Sequence, residues 1–453
     1  MKRWGQAFEP AAGFPAGALQ KTEQAGRKPR SWQASRSLER LTPLFLRAAL
    51  ALSAGAIPLF AQNTAVLPFA NVSSSDENGA IRNPASMDWI GESIAETLRA
   101  AFAARGVLTL ERDRTAEAYR RLQLRERTEL TEASILKVGE VLDAEQVVHG
   151  TFSVVPAAGV STSKGSLKIQ ARVSDRRHLR QSAVFEETGA IEDLATLESH
   201  LAWQALTMVA PARAPAESEF RSLRTAVPLD VLENYIRGLL AATPEQKEKY
   251  FTQAARLDPD YSPPAYELGR IHFAKKEYRE AAVWLEHVGP SENHYREASF
   301  LLGFARYQAG DFEAARKAFQ TIAEKVPIGP VWNNLGAAES RLNLPQAVDT
   351  FRKALDQDQS DPDYHFNLGY ALFKKGDFGA AADRFRAVLD RNPGDSMATL
   401  LLGRCLKKQG LRAATASDAR LQALERLKDT YEERVYFQLK SILESPPASE
   451  PRQ

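Results

Sequence analysis

The sequence predicts an α+β chain: a mixed strand-and-helix domain followed by an all-α superhelical solenoid. Three observations carry this. Between residues 64 and 209, β-rich runs and amphipathic stretches alternate. Beyond residue 228 a glycine returns every 31 to 34 residues, at 238, 269, 303, 336, 369 and 403. Ahead of both lies an uncharged apolar run, AALALSAGAIPLF at 48–60, with Arg36, Arg40 and Arg47 before it.

That run has the layout of a secretory signal peptide and is short for a permanent membrane span. It predicts a leader over 1–61, cleaved near Ala61, and an exported, periplasmic or outer-membrane-associated protein. The roughly 40 residues before the run are long for an n-region, so a downstream start or an uncleaved anchor stays open. Of 453 residues, 59 are basic and 57 acidic; nine and three of these fall in 1–61, so the remainder carries a net −4. A nearly balanced charge is a poor footing for nucleic-acid binding. The single Cys405 excludes an internal disulfide.

In residues 62–209, TAVLPFANV at 64–72 reads as a buried strand and 87–106 as an amphipathic helix. VLTLER at 107–112 reads as a second strand. Helical stretches follow at 115–124 and 132–142, then three β-rich runs, EQVVHGTFSVV, SLKIQARVSD and QSAVFEETG, and a closing helix near 192–209. The expectation is one α/β sandwich of ordinary domain size. The wording AVLPFANVS, VVHGTFSV and KIQARVSD resembles the amino-terminal domain of TolB-like proteins and related curli-assembly domains. Residues 210–227, rich in Ala, Pro and Ser, read as an exposed linker.

The glycine period is that of helix pairs that bury their apolar faces only against neighbours. Ala281, Ala315 and Ala381 lie twelve places after a glycine, Phe319 and Phe385 sixteen. In the copy at Gly336, Ala347 and Phe351 come one place early. Gly376-Asp377 supplies the turn of one pair, glycine to end a helix and aspartate to open the next. Pro259, Pro327 and Pro393 close units. The pattern resembles the tetratricopeptide repeat (TPR) over roughly 228–428. Helix pairs are expected over 228–411 and a last repeat helix with a capping helix over 412–444. Leu421, Leu424, Leu427 and Tyr431 fall on one side of that helix; 445–453 is expected to be a disordered tail. Coiled-coil pairing between chains is the other reading of the last helix.

No common catalytic, phosphate-cradling or metal-ligating motif is present, and the seven histidines form no i, i+4 pair. His287 and His294, on one loop, lack a third ligand nearby. The expectation is a non-enzymatic scaffold of the cell envelope with no cofactor. Its partner would be a protein or peptide, with outer-membrane or envelope components as candidates and no nucleic acid. The alternative is a ligand-binding sensor or hydrolase carried by the α/β domain.

The TPR resemblance implies that the first helix of each pair lines a concave groove. Carried over position by position, it implies groove residues Tyr266, Arg270, Phe273, Phe304, Tyr307, Asn334, Arg341, Asn367, Tyr370, Lys374, Arg404 and Lys408. Asn334 and Asn367 are suited to the backbone of an extended peptide. Arg341, Lys374 and Lys408 are suited to acidic side chains or a terminal carboxylate.

Overall fold

The computed structural model describes residues 63–73, 87–125, 128–155, 165–222, 227–411 and 421–432, all within one compact unit. The expected leader, with its apolar run at 48–60, lies outside these residues, as do 412–420 and the expected tail at 445–453. Among the described residues no helix is long and apolar enough to cross a membrane.

Among the described residues, the amino-terminal part is built on a six-stranded sheet. Its centre is a pair of ten-residue strands rich in β-branched and apolar residues, β3 Gln146–Val155 and β4 Ser166–Asp175. They pair antiparallel along their whole length, from Gln146 opposite Asp175 to Val155 opposite Ser166. The short strands β1 Thr64–Val66 and β2 Ala70–Asn71 run parallel to β3. On the other side β5 Arg180–Gln181 and β6 Phe185–Ala190 run antiparallel to β4.

Alternation along the strands decides the packing. Val148, Phe152, Leu167, Ile169 and Val173 share a core with helices α1 Trp89–Ala104 and α4 Leu194–Val209. The other parity, Ala65, Leu67 and Val147, packs with α2 Arg112–Arg121 and α3 Glu132–Val141 through Tyr119, Ile135 and Val138. Two expected strands differ from the sequence reading. The stretch 64–72 breaks at Pro68, which has no N–H to give the ladder. At 107–112 only Thr109 bridges to Thr64 before α2 begins.

The expected linker is not a free tether over its described part. A short helix, α5 Glu217–Ser222, seats Phe220 in the main core, 4 % exposed. The Trp203 indole donates to the Pro215 carbonyl at 3.1 Å, and Arg213 donates to the Gly106 carbonyl. The apolar demand of Phe220 overrides the loop-like composition around it.

The solenoid follows as antiparallel pairs: α6 Leu229–Leu240 with α7 Pro244–Leu257, α8 Pro263–Ala274 with α9 Tyr278–Leu285, and α10 Tyr295–Gln308 with α11 Phe312–Ala323. Then come α12 Gly329–Arg341 with α13 Ala347–Gln357, α14 Pro362–Lys375 with α15 Phe378–Arg391, and α16 Ser396–Leu406. The turns use the chemistry the sequence offers. Gly376 ends α14 at φ 88°, in the left-handed region, and the Asp377 carboxylate accepts from the Ala380 amide at 3.2 Å. Leu232, Tyr235, Ile236 and Phe251 from the first pair belong to the same core as the sheet. The two parts therefore fold against each other.

The expected capping helix is overturned where it can be seen. Residues 421–432 run without helix or strand assignment and lie along the first helices of the repeats. Contacts with those helices, described below, outweigh the helical spacing of Leu421, Leu424 and Leu427.

Most pairs are closed by a ring against a bare backbone, as at Gly238, Gly303 and Gly336; at Gly269 the Leu285 side chain takes that place. A Cβ on Gly336 would sit 2.8 Å from the Phe351 ring, which is fully buried, whereas a Cβ on Gly403 would have nothing within 4 Å. Alanine favours a helix over glycine by about 1 kcal/mol, and overpacking costs about 1 to 3 kcal/mol. Gly336→Ala is therefore expected to lower the urea midpoint of unfolding while Gly403→Ala leaves it unchanged or raises it.

The His149 imidazole, on β3, sits 3.0 Å from the Ser174 hydroxyl. Burial, with the Arg172 charge, pushes its pKa down to about 4. The unfolded chain thus binds one more proton below its ordinary value of about 6.5. Stability contributed by the neutral ring is full above that pH and lost as pH falls through about 4. His149→Gln is expected to flatten the fall in unfolding midpoint between pH 6.5 and 4 by up to one proton, as read from urea titrations across that range.

Candidate functional site: a peptide groove

The first helices α10, α12 and α14 present a row of side chains at one helical level, because the repeat period of 33 residues returns the same face each time. Asn334 on α12 and Asn367 on α14 are that row's amides, and both are fully buried. Residues 423–432, after a turn at Leu421 and a bend at Gln422, lie across them without helix. The Asn367 side chain donates to the Arg426 carbonyl at 2.7 Å and accepts from the Arg426 amide at 2.8 Å. Asn334 does the same to Lys428, at 2.7 and 2.9 Å. Each carboxamide, with its donor and acceptor side by side, thus matches the N–H and C=O of one residue of the segment. Residues 426 and 428 are two apart, the side-chain repeat of a strand. Both grips therefore fall on the same edge of the segment.

Asn333 completes the grip. It donates to the Arg426 carbonyl at 2.8 Å and accepts from Asn367 at 2.7 Å. Tyr370, on α14, donates its hydroxyl to the Leu421 carbonyl.

The side chains of the segment are read on two sides. On one, the Glu425 carboxylate is fully buried, accepting from the Ser340 hydroxyl at 2.7 Å, with the Lys374 ammonium at 3.7 Å and the Tyr307 hydroxyl at 3.5 Å. Burial holds the Lys374 ammonium below its ordinary pKa although Glu425 opposes the shift. Burial, with the Glu425 charge, raises the Tyr307 phenol. On the other side the Arg426 guanidinium reaches Asp395 at 2.7 Å and Asp363 at 3.2 Å, lying 3.6 Å over the Phe366 ring. Lys428 meets Asp363 at 2.6 Å and Asp361 at 2.8 Å. Burial works against the Lys428 charge, but these two carboxylates hold its pKa above the ordinary value. Leu427 packs against both repeat cores and the Tyr431 ring lies tilted beside Phe300, centroids 5.1 Å apart.

The residues named from the sequence divide. Tyr307, Asn334, Asn367, Tyr370 and Lys374 converge on the segment. The others do not meet it through these bonds. Tyr266 stacks on His294 at 4.5 Å, with Arg270 over its ring at 5.5 Å; Phe273 and Phe304 pack on each other at 5.2 Å. Arg341 lies 4.4 Å over Phe312. Arg404 is half-buried on α16, and exposed Lys408, at φ 53°, follows its end. Asn333, Ser340, Asp361, Asp363 and Asp395 were missed. Asp361 and Asp395 read naturally as helix caps and do accept from the Asp363 and Ala398 amides, so their second role left no separate mark in the sequence.

Elsewhere the described residues gather few reactive groups. His287 and His294 do not meet: the His287 imidazole, just past the end of α9, donates to the Val283 carbonyl at 2.8 Å, and His294 faces Tyr266. The His200 imidazole bridges Glu187 at 2.5 Å and Glu217 at 3.3 Å, stacked on Trp203, and so ties α4 to β6 and α5. Among the described residues no group of three or more His, Cys, Asp or Glu could hold a metal ion.

Comparison with known proteins agrees on the repeats. A tetratricopeptide repeat family model matches residues 300–362, 337–395 and 366–431. No curated protein matches the chain. Among solved structures, MamA residues 41 to the end from Desulfovibrio magneticus RS-1 is 22 % identical, covering 35 % of this chain and 92 % of its own, with a TM-score of 0.32. YrrB, described as a TPR protein with an unusual peptide-binding site, is 19 % identical over 39 % of this chain and 87 % of its own, at 0.31. The carboxy-terminal part of the chain is a helical solenoid of tetratricopeptide repeats, an architecture of protein–protein interaction scaffolds.

Proposed function

We propose that the chain is a non-enzymatic interaction scaffold whose repeat groove grips an extended peptide segment of a partner protein. The observation that carries this reading is the pair of buried carboxamides, Asn334 and Asn367, each bonded to both polar groups of one backbone residue of an extended segment. Backbone bonds give affinity to any extended chain, and the flanking Lys374 and the carboxylates at 361, 363 and 395 select its side chains. The amino-terminal sheet domain, which resembles the TolB-like domain in sequence wording, would dock a second component. The apolar run at 48–60 supports work in the cell envelope.

Two measurements test the reading. Full-length protein and its Asn334→Ala/Asn367→Ala variant are used as baits in envelope extract, with quantitative mass spectrometry of what they retain. The expected outcome is a set of proteins depleted at least tenfold on the variant while its thermal unfolding still shows a folded chain. Equal recovery would move the binding surface out of the groove. For export, mass spectrometry of the mature protein is expected to find peptides beginning near Gln62. Peptides spanning Phe60 to Thr64 would overturn the cleavage.

A further inference from the structure

The groove is filled by its own chain. Residues 421–432 satisfy Asn334 and Asn367, carry the buried Glu425 side chain, and bring Arg426 and Lys428 onto three carboxylates. The same stretch carries the spacing of an amphipathic helix, Leu421, Leu424 and Leu427, yet is held extended. Such a conflict between local preference and observed conformation is resolved only by the contacts that hold the segment.

We propose, resting on the reading of the groove as a peptide site, that residues 421–432 are an internal ligand. A partner enters by presenting an extended segment with the same charge order: an acidic residue, a basic one, an apolar one, then a second basic one. The chemistry follows from the walls. A carboxylate at the first place replaces Glu425 between Lys374, Ser340 and Tyr307. A guanidinium at the second place is stacked on Phe366 and paired with Asp363 and Asp395. Planar pairing and ring stacking favour arginine over lysine there. An ammonium at the fourth place falls between Asp361 and Asp363. The third side chain faces the apolar seam that Leu427 occupies between two repeat cores. Because the internal segment is tethered, it competes at a high effective concentration, and a free peptide of the same sequence binds the intact chain with an affinity reduced by the fraction of time the groove is open.

The test uses the full chain and a fluorescein-labelled synthetic peptide of residues 421–432, LQALERLKDTYE. Arg426→Glu/Lys428→Glu places like charges against Asp361, Asp363 and Asp395 and should release the segment. The labelled peptide is expected to bind this variant at least tenfold tighter than it binds the wild type. A peptide with the same two charge reversals should bind neither. In parallel, hydrogen exchange of the wild type should show the Arg426 and Lys428 amides protected, and the variant should lose that protection. Random-coil exchange of those amides in the wild type would overturn the inference. So would equal peptide affinity for the two proteins, whether strong or absent. The groove reading fails separately: if the peptide binds the variant but Asn334→Ala/Asn367→Ala, added to that variant, leaves the affinity unchanged, peptides bind elsewhere.

Discussion

A bare backbone against an aromatic ring sets the geometry of the solenoid. Where α12 passes α13, the Gly336 backbone leaves no room for a Cβ beside Phe351, and the same contact recurs between Gly303 and Phe319. Close approach inside each pair fixes how far apart successive first helices stand. It also fixes which of their faces turns inward. Asn334 and Asn367 line up only because two such pairs repeat at an unchanged spacing. The polar chemistry of the groove is thus a consequence of apolar packing beneath it, and a disturbance of the ring contacts would be felt first in the register of the two carboxamides.

Fully buried carboxamides would be costly if unpaired, and so would the Glu425 carboxylate. The structure meets that cost by matching every strong group to another: amide to amide, carboxylate to ammonium and hydroxyl, guanidinium to carboxylate and ring. Pairing of this kind favours one register of the bound segment over its neighbours. A shift by one residue would put Leu427 where the carboxylates stand and would exchange the acidic and basic sides. Register is therefore set by charge, while the backbone bonds alone would accept any extended chain.

The solenoid was legible in the sequence because it is written as a period: six glycines and the residues locked to them state both the helix pairs and their order. Asn334 and Asn367 could be named through the tetratricopeptide resemblance, which implies which positions of a repeat face the groove. The acidic wall was not legible, because Asp361 and Asp395 open helices and aspartate at such a place needs no further reason. Residues 421–432 misled most. Their leucines carry the helical spacing, and the information that they lie extended resides in first-helix side chains 51 to 118 positions earlier. Phe220 misled in the same manner, a single aromatic in a linker-like composition whose burial depends on a core assembled elsewhere.

A repeat array whose units touch only their neighbours melts as a row of dominoes, with the terminal unit free to fray. The crossing segment changes that arithmetic. It bonds or packs to α10 through Phe300 and Tyr307, to α12 through Asn334 and Ser340, to α14 through Asn367 and Tyr370, and to the start of α16 through Asp395. Non-adjacent units thereby acquire a shared fate, and opening the carboxy-terminal end requires stripping contacts from repeats well inside the array. The segment converts a chain of nearest-neighbour couplings into one cooperative block.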